Sequence, residues 1–99
     1  MEKHKHIINF YRKAANDERL LPTHLTLYLA IYYFCSRNGL ENPVTIYRKD
    51  LMPLARINSI ATYHKCMKDL DNFGYILYKP TYNYYKGSKI VLRIDNVST

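Results

Sequence analysis

The sequence predicts a small, mainly α domain closed by an antiparallel β-hairpin, an α+β fold. Three observations predict it: stretches with apolar residues at helical spacing through the first three quarters of the chain, a tight polar connection between two of them, and alternating β-rich runs near the end. At 99 residues there is room for one hydrophobic core, so residues 1–99 are expected to form one domain.

The segment 4–19 places Ile7, Ile8, Tyr11, Ala14 and Ala15 on one stripe and reads as an N-terminal extension helix. Leu20-Leu21-Pro22-Thr23 breaks that pattern, with Thr23 expected to cap the next helix. Residues 25–37 are apolar nearly all round, which predicts the central buried helix, stopped by Asn38-Gly39. Val44-Thr45-Ile46 is β-branched and reads as a brief strand.

From Arg48 to Ala55, Leu51, Leu54 and Ala55 recur at helical spacing around Pro53, so a short or kinked helix is expected. Arg56-Ile57-Asn58-Ser59 follows as a tight connection, with Asn58 or Ser59 as cap of a helix running from Ile60 to about Phe73. Its packed stripe is expected to be Ile60, Tyr63, Met67, Leu70 and Phe73. Asn58, Ala61, Thr62, Lys65, Lys68, Asp69 and Asn72 are expected to project away from that stripe. Tyr75–Lys79 and Lys89–Ile94 alternate as two antiparallel strands, a hairpin over residues 75–94 with a long aromatic tip.

Helix, short strand, short helix, tight turn, second helix and terminal hairpin is the succession of a winged helix-turn-helix, in which the second motif helix enters the DNA major groove and the hairpin is the wing. The physical fit is direct, since a helix with its side chains is about 10–12 Å across and the groove about 12 Å wide. The short polar side chains Asn58, Ser59 and Thr62 on the first exposed turn are candidates for base edges or phosphates, and Lys65 and Lys68 for the backbone. Arg48, Lys49 and Lys86 join them as phosphate contacts, with Tyr84 and Tyr85 at the hairpin tip as wing contacts. The partner expected is double-stranded DNA.

Charge agrees with that assignment. The formal net charge is +7, and the excess lies in residues 47–93. There Arg48, Lys49, Arg56, Lys65, Lys68, Lys79, Lys86, Lys89 and Arg93 face only Asp50, Asp69 and Asp71. Lys79 and Lys89, with Arg48, Lys49 and Lys86, together favour phosphate contact. Of the eleven tyrosines, Tyr28, Tyr32, Tyr33, Tyr63 and Tyr75 lie on or beside apolar stripes and are read as structural.

The run from Asn58 to Leu70, followed by Phe73-Gly74-Tyr75-Ile76 and then Tyr82-Asn83 and Lys86-Gly87-Ser88, resembles small winged helix-turn-helix DNA-binding proteins of Bacteroides-type bacteria and their mobile elements. The resemblance covers residues 23–94. It is similar in general form to transcriptional regulators and to modules of replication proteins in phages and plasmids. It implies a duplex-binding wing and motif helix, while leaving repression, activation, replication initiation and excision open.

Other classes find little support in the sequence. The carboxylates are scattered, Ser59 and Ser88 have no nearby histidine in the expected fold, and there is no glycine-rich phosphate loop, so no catalytic residues and no enzyme are expected. Cys35 and Cys66 read as buried thiols, and His4, His6, His24 and His64 are too scattered for a metal site, so neither metal nor cofactor is expected. No signal-peptide or membrane-spanning run is present in the sequence, which predicts a cytoplasmic protein without a membrane partner. The leading expectation is therefore a sequence-specific transcriptional regulator. The alternatives are a replication or excision accessory protein of a mobile element, and a winged-helix module that binds another protein. The N-terminal helix is the surface available for a homodimer, unless it caps its own domain.

Overall fold

The computed structural model describes residues 2–39, 43–81 and 86–93, with side chains in the first helix described from Lys5 onward. Among these described residues, four helices and a three-stranded antiparallel sheet form an α+β fold: α1 (Glu2–Ala15), α2 (Pro22–Ser36), β1 (Val44–Ile46), α3 (Arg48–Ala55), α4 (Ile60–Asn72), β2 (Ile76–Lys79) and β3 (Ser88–Leu92). The strand order is β1-β3-β2, so the last strand lies in the middle.

The central helix is α2, as its all-round apolar sequence predicts. Leu27 and Ile31 are fully buried, and α3 and α4 both pack on it. Its start differs from expectation. Leu21 occupies the cap position and Pro22 the first helical position, where a missing N–H costs nothing. The Leu21 N–H is satisfied by Nδ1 of His24, 2.8 Å away, a side chain three residues inside the helix reaching back to the cap. Thr23 is therefore not the cap. Its hydroxyl oxygen accepts from the Cys66 thiol at 3.3 Å and ties α2 to α4.

The first helix ends at Ala15, four residues before the expected Arg19. Asp17 ends it by bonding elsewhere. Its carboxylate takes two bonds from the Arg19 guanidinium, at 2.8 and 2.7 Å, and one from the Tyr75 hydroxyl at 2.9 Å. The stripe on this helix is also shifted. Phe10 is buried, while Ile8 and Tyr11 are about half exposed. Phe10 stacks on Tyr28 with ring centroids 3.8 Å apart and planes at 4°, and meets the edge of Tyr75 at 5.7 Å.

These bonds hold the Asp17 carboxyl well below its ordinary value of 3.8; the Arg19 hydrogen bonds are the main cause, with the Tyr75 hydroxyl adding to them against partial desolvation. A depressed folded-state pKa contributes stability that is complete above the unfolded value and is lost as pH falls through the folded one. Asp17→Asn is accordingly expected to be less stable than the parent at pH 7. That gap should narrow as pH drops below 3.8 in chemical unfolding. A gap that stays constant from pH 7 to pH 2 would mean the carboxylate charge is not what stabilises this corner.

Val44-Thr45-Ile46 is a strand as expected, paired antiparallel with β3 in the register Val44 with Ile90 and Ile46 with Ser88. Strand β2 pairs on the other side, Ile76 with Leu92 and Lys79 with Lys89. Val44, Ile46, Ile76, Ile90 and Leu92 face the core, and Leu77, Lys79, Val91, Lys89 and Thr45 take the opposite face by strand alternation. Gly87 precedes β3 at φ +69°, and a Cβ built there would lie 2.8 Å from Thr45 Cγ2 and 3.0 Å from the Tyr47 ring. Gly87→Ala is expected to cost about 1–3 kcal/mol, from positive φ and the clash combined. A urea midpoint unchanged from the parent would show that this turn relaxes freely.

Three further side chains depart from the sequence pattern. Leu54 on α3 and Ile60 on α4 are about half exposed, and Cys66 fills the α4 core position that Ile60 was expected to share. Tyr33, expected to pack, is 48% exposed, because α2 is covered on its other sides but not there. Ile94 and the hairpin-tip tyrosines Tyr82, Tyr84 and Tyr85 lie outside the described residues.

Candidate nucleic-acid interface

Helix α3 ends at Arg56, which takes the left-handed conformation (φ 60°, ψ 38°) and redirects the chain. The Ile57 N–H closes this end by donating to the Met52 carbonyl at 3.0 Å, and Ile57 is buried as the chain passes. Ser59 then caps α4: its Oγ accepts the Thr62 N–H at 3.2 Å. Two helices thus meet through the short connection 56–59, each resting on α2.

Along α4 the buried residues are Tyr63, Cys66, Met67 and Leu70. Among its described residues Ile60, Ala61, His64, Lys65, Lys68 and Asn72 are exposed, none of them acidic, and Thr62 is half-buried. Asn58 and Ser59 are exposed just ahead of the first turn. The expected contact residues therefore form one row, Asn58 and Ser59, then Thr62, Lys65 and Lys68, at spacings of three. Asp69 departs from the expected outward face. It is partly buried and turned toward α2, where its Oδ2 meets Nε2 of His24 at 3.0 Å and Nζ of Lys65 at 3.1 Å. Its carboxyl is lowered, chiefly by the His24 hydrogen bond and secondarily by Lys65.

The second group of basic residues gathers at one end of the sheet. Tyr47 lies against Gly87, so Lys86, beside that glycine, and Arg48 and Lys49, after that tyrosine, approach from two segments far apart in sequence. Lys49 and Lys86 are exposed, whereas Arg48 is half-buried. The Arg48 charge works on the Tyr63 and Tyr78 hydroxyls, opposing the burial that pushes both of them up. Arg48 is thus more enclosed than its neighbour Lys49, a difference that the sequence alone did not disclose. Tyr84 and Tyr85 lie outside the described residues.

No family model matches the chain, nor does any curated protein or solved structure. The site therefore rests on its own geometry.

Sequence patterning left Lys79 and Lys89 within a general basic excess, but the register sets them directly opposite each other on the outer sheet face. Directly opposed residues have Cβ atoms about 4.5–5.5 Å apart, and like charges there are destabilising. Lys89 donates to the Thr45 hydroxyl at 3.0 Å, and among the described residues no carboxylate pairs with either lysine. His64 and Ile60 were also missed as outward groups. His64 carried a readable signal, four residues after Ile60 and four before Lys68 on one side of the helix.

Cys35 and Cys66 are buried and unpaired with each other, and burial pushes the Cys35 thiol up to about 11. Among the described residues no group of three His, Cys, Asp or Glu side chains is placed to hold a metal ion, and no helix is long and apolar enough to cross a membrane.

Proposed function

We propose that this chain binds double-stranded DNA as a winged helix-turn-helix protein, with α4 as the helix in the major groove and the β2–β3 hairpin as the wing. The observation that carries this reading is the outer surface of α4. It is a capped helix of about 20 Å that follows a short turn from α3, and its exposed side chains are neutral or basic, the acids Asp69 and Asp71 being partly buried. Lys65 and Lys68 suit phosphates, and Asn58, Ser59 and Thr62 suit base edges at the leading turn. The exposed Ile60 and Ala61 suit a thymine methyl. The opposed Lys79 and Lys89 support the same reading, because an anion between them would relieve the repulsion the register creates. Transcriptional regulation is the role put forward, with replication or excision of a mobile element using the same surface.

Fluorescence anisotropy with a random-sequence duplex and with single-stranded DNA, each at two salt concentrations, tests this. Duplex binding that weakens steeply with salt is expected, since each phosphate neutralised contributes about −0.9 to the slope of log affinity against log salt. Absence of duplex binding at low salt would overturn it. It would also turn attention to a second reading, a protein-binding module. That reading is favoured by a shallow apolar groove of about 290 Å³ lined by Thr26, Leu29, Ala30, Tyr33 and Leu54.

A further inference from the structure

We infer that Asp69 is a restraint on Lys65, so that the strength with which α4 takes up phosphate is set by a contact inside the protein; this rests on the reading of the outer face of α4 as phosphate-facing. The restraint is built from three bonds in series. His24, 2% exposed, uses Nδ1 to accept the Leu21 N–H at 2.8 Å, so its ring proton sits on Nε2 and is donated to Asp69 Oδ2 at 3.0 Å. The same oxygen accepts from Lys65 Nζ at 3.1 Å. The neutral ring fixes the carboxylate from behind without cancelling its charge, and a fixed acceptor takes less ordering to hold a long side chain than a mobile one. Arg19, which sits over the Phe73 ring at 4.0 Å, is committed to Asp17 at 2.7 Å.

Helix stability does not account for the pair. An acid four residues after a base is the less favourable order, and Asp69 lies in the last turn of α4, where the helix dipole opposes negative charge. What the position provides is contact with His24 on one side and Lys65 on the other. Lys65 is 71% exposed and within reach of a phosphate, but that phosphate must replace Asp69. Lys68, exposed one turn on, has no carboxylate partner among the described residues and meets no such competition. The two lysines of the row are therefore unequal.

The test is a double-mutant cycle on duplex affinity and salt slope, using the parent, Asp69→Asn, Lys65→Ala and the double variant. Asparagine keeps an oxygen for the His24 N–H and removes the charge that holds Lys65. Asp69→Asn is expected to bind duplex about two- to fivefold tighter, and the gain should be lost when Lys65 is alanine. Asp71→Asn, the same charge change on another side of α4, should give a smaller gain that is indifferent to Lys65. An Asp69→Asn gain that persists undiminished in the Lys65→Ala background, or that Asp71→Asn matches, overturns the restraint. A parent that binds no duplex sinks the DNA reading alone. The same cycle is then read as salt of elution from immobilised heparin, where loss of the Asp69→Asn shift with Lys65→Ala supports the restraint and its persistence overturns it.

Discussion

Phe10→Ala is expected to lower stability by about 3–5 kcal/mol, the range for truncating a buried aromatic whose cavity cannot collapse. The ring is 4% exposed and lies flat on Tyr28, with Tyr75 at its edge. Among the described residues of α1 it is the buried one in the shared core, with Ile7 and Ala14 packing beside it partly exposed. Around it, Lys13 Nζ donates to the Gly74 carbonyl at 3.1 Å and lies 4.3 Å from the Tyr75 ring centroid. These polar contacts are too exposed to replace the ring. Urea unfolding gives the magnitude, and amide exchange along residues 5–15 gives the location. Exchange should accelerate in α1 before it does in α2. A loss under about 1 kcal/mol would mean that α1 is an appendage whose removal leaves the rest intact.

The second large effect concerns binding. Replacing Lys79, Lys86 and Lys89 together by alanine is expected to flatten the salt dependence of duplex binding by about 2.7 in slope. Affinity at low salt should fall by roughly two orders of magnitude or more, as with the loss of several phosphate contacts. The same variant should fold at least as stably as the parent, because it removes the Lys79–Lys89 repulsion across β2 and β3. Opposite signs for stability and affinity separate this surface from an ordinary solvated one, where both would stay nearly unchanged. Lost binding with an unaltered slope would place the DNA elsewhere.

Much of the fold was legible because local chemistry and tertiary packing agree. Helix α2 is apolar on every side and is buried on most of them, Ser59 was one of two readable caps for α4, and β-branched Val44-Thr45-Ile46 became a strand. The departures occur where a distant partner decides. Asp17 would continue a helix as readily as end it, until Tyr75, 58 residues away, donates to it. Thr23 is a good cap by composition, but His24 performs that function from inside the helix with Asp69 as its second partner. Periodicity put Ile60 inward because it spaces correctly with Tyr63 and Met67, although the first turn of α4 overhangs the core.

The candidate site divides along the same line. The row Asn58, Ser59, Thr62, Lys65 and Lys68 follows from helical spacing alone and keeps its outward position, with Thr62 half-buried. Arg48 was indistinguishable from Lys49 in sequence, and only the folded chain separates a half-buried guanidinium from an exposed ammonium. The opposition of Lys79 and Lys89 needed the hairpin register, which a loop of uncertain length hides.

The strand order has a consequence for how the chain assembles. Strand β1 finds its partner 44 positions later, Thr45 against Lys89, and that partner is the middle strand of the sheet. Until β3 is in place, β1 and β2 have no strand neighbour, and the inner edge of each stays unpaired. During synthesis the helices can collapse early through nearby contacts, but the sheet waits for one late, non-local event. A chain halted before Ile90 would lack the middle strand and leave the edges of β1 and β2 open to pairing with another chain.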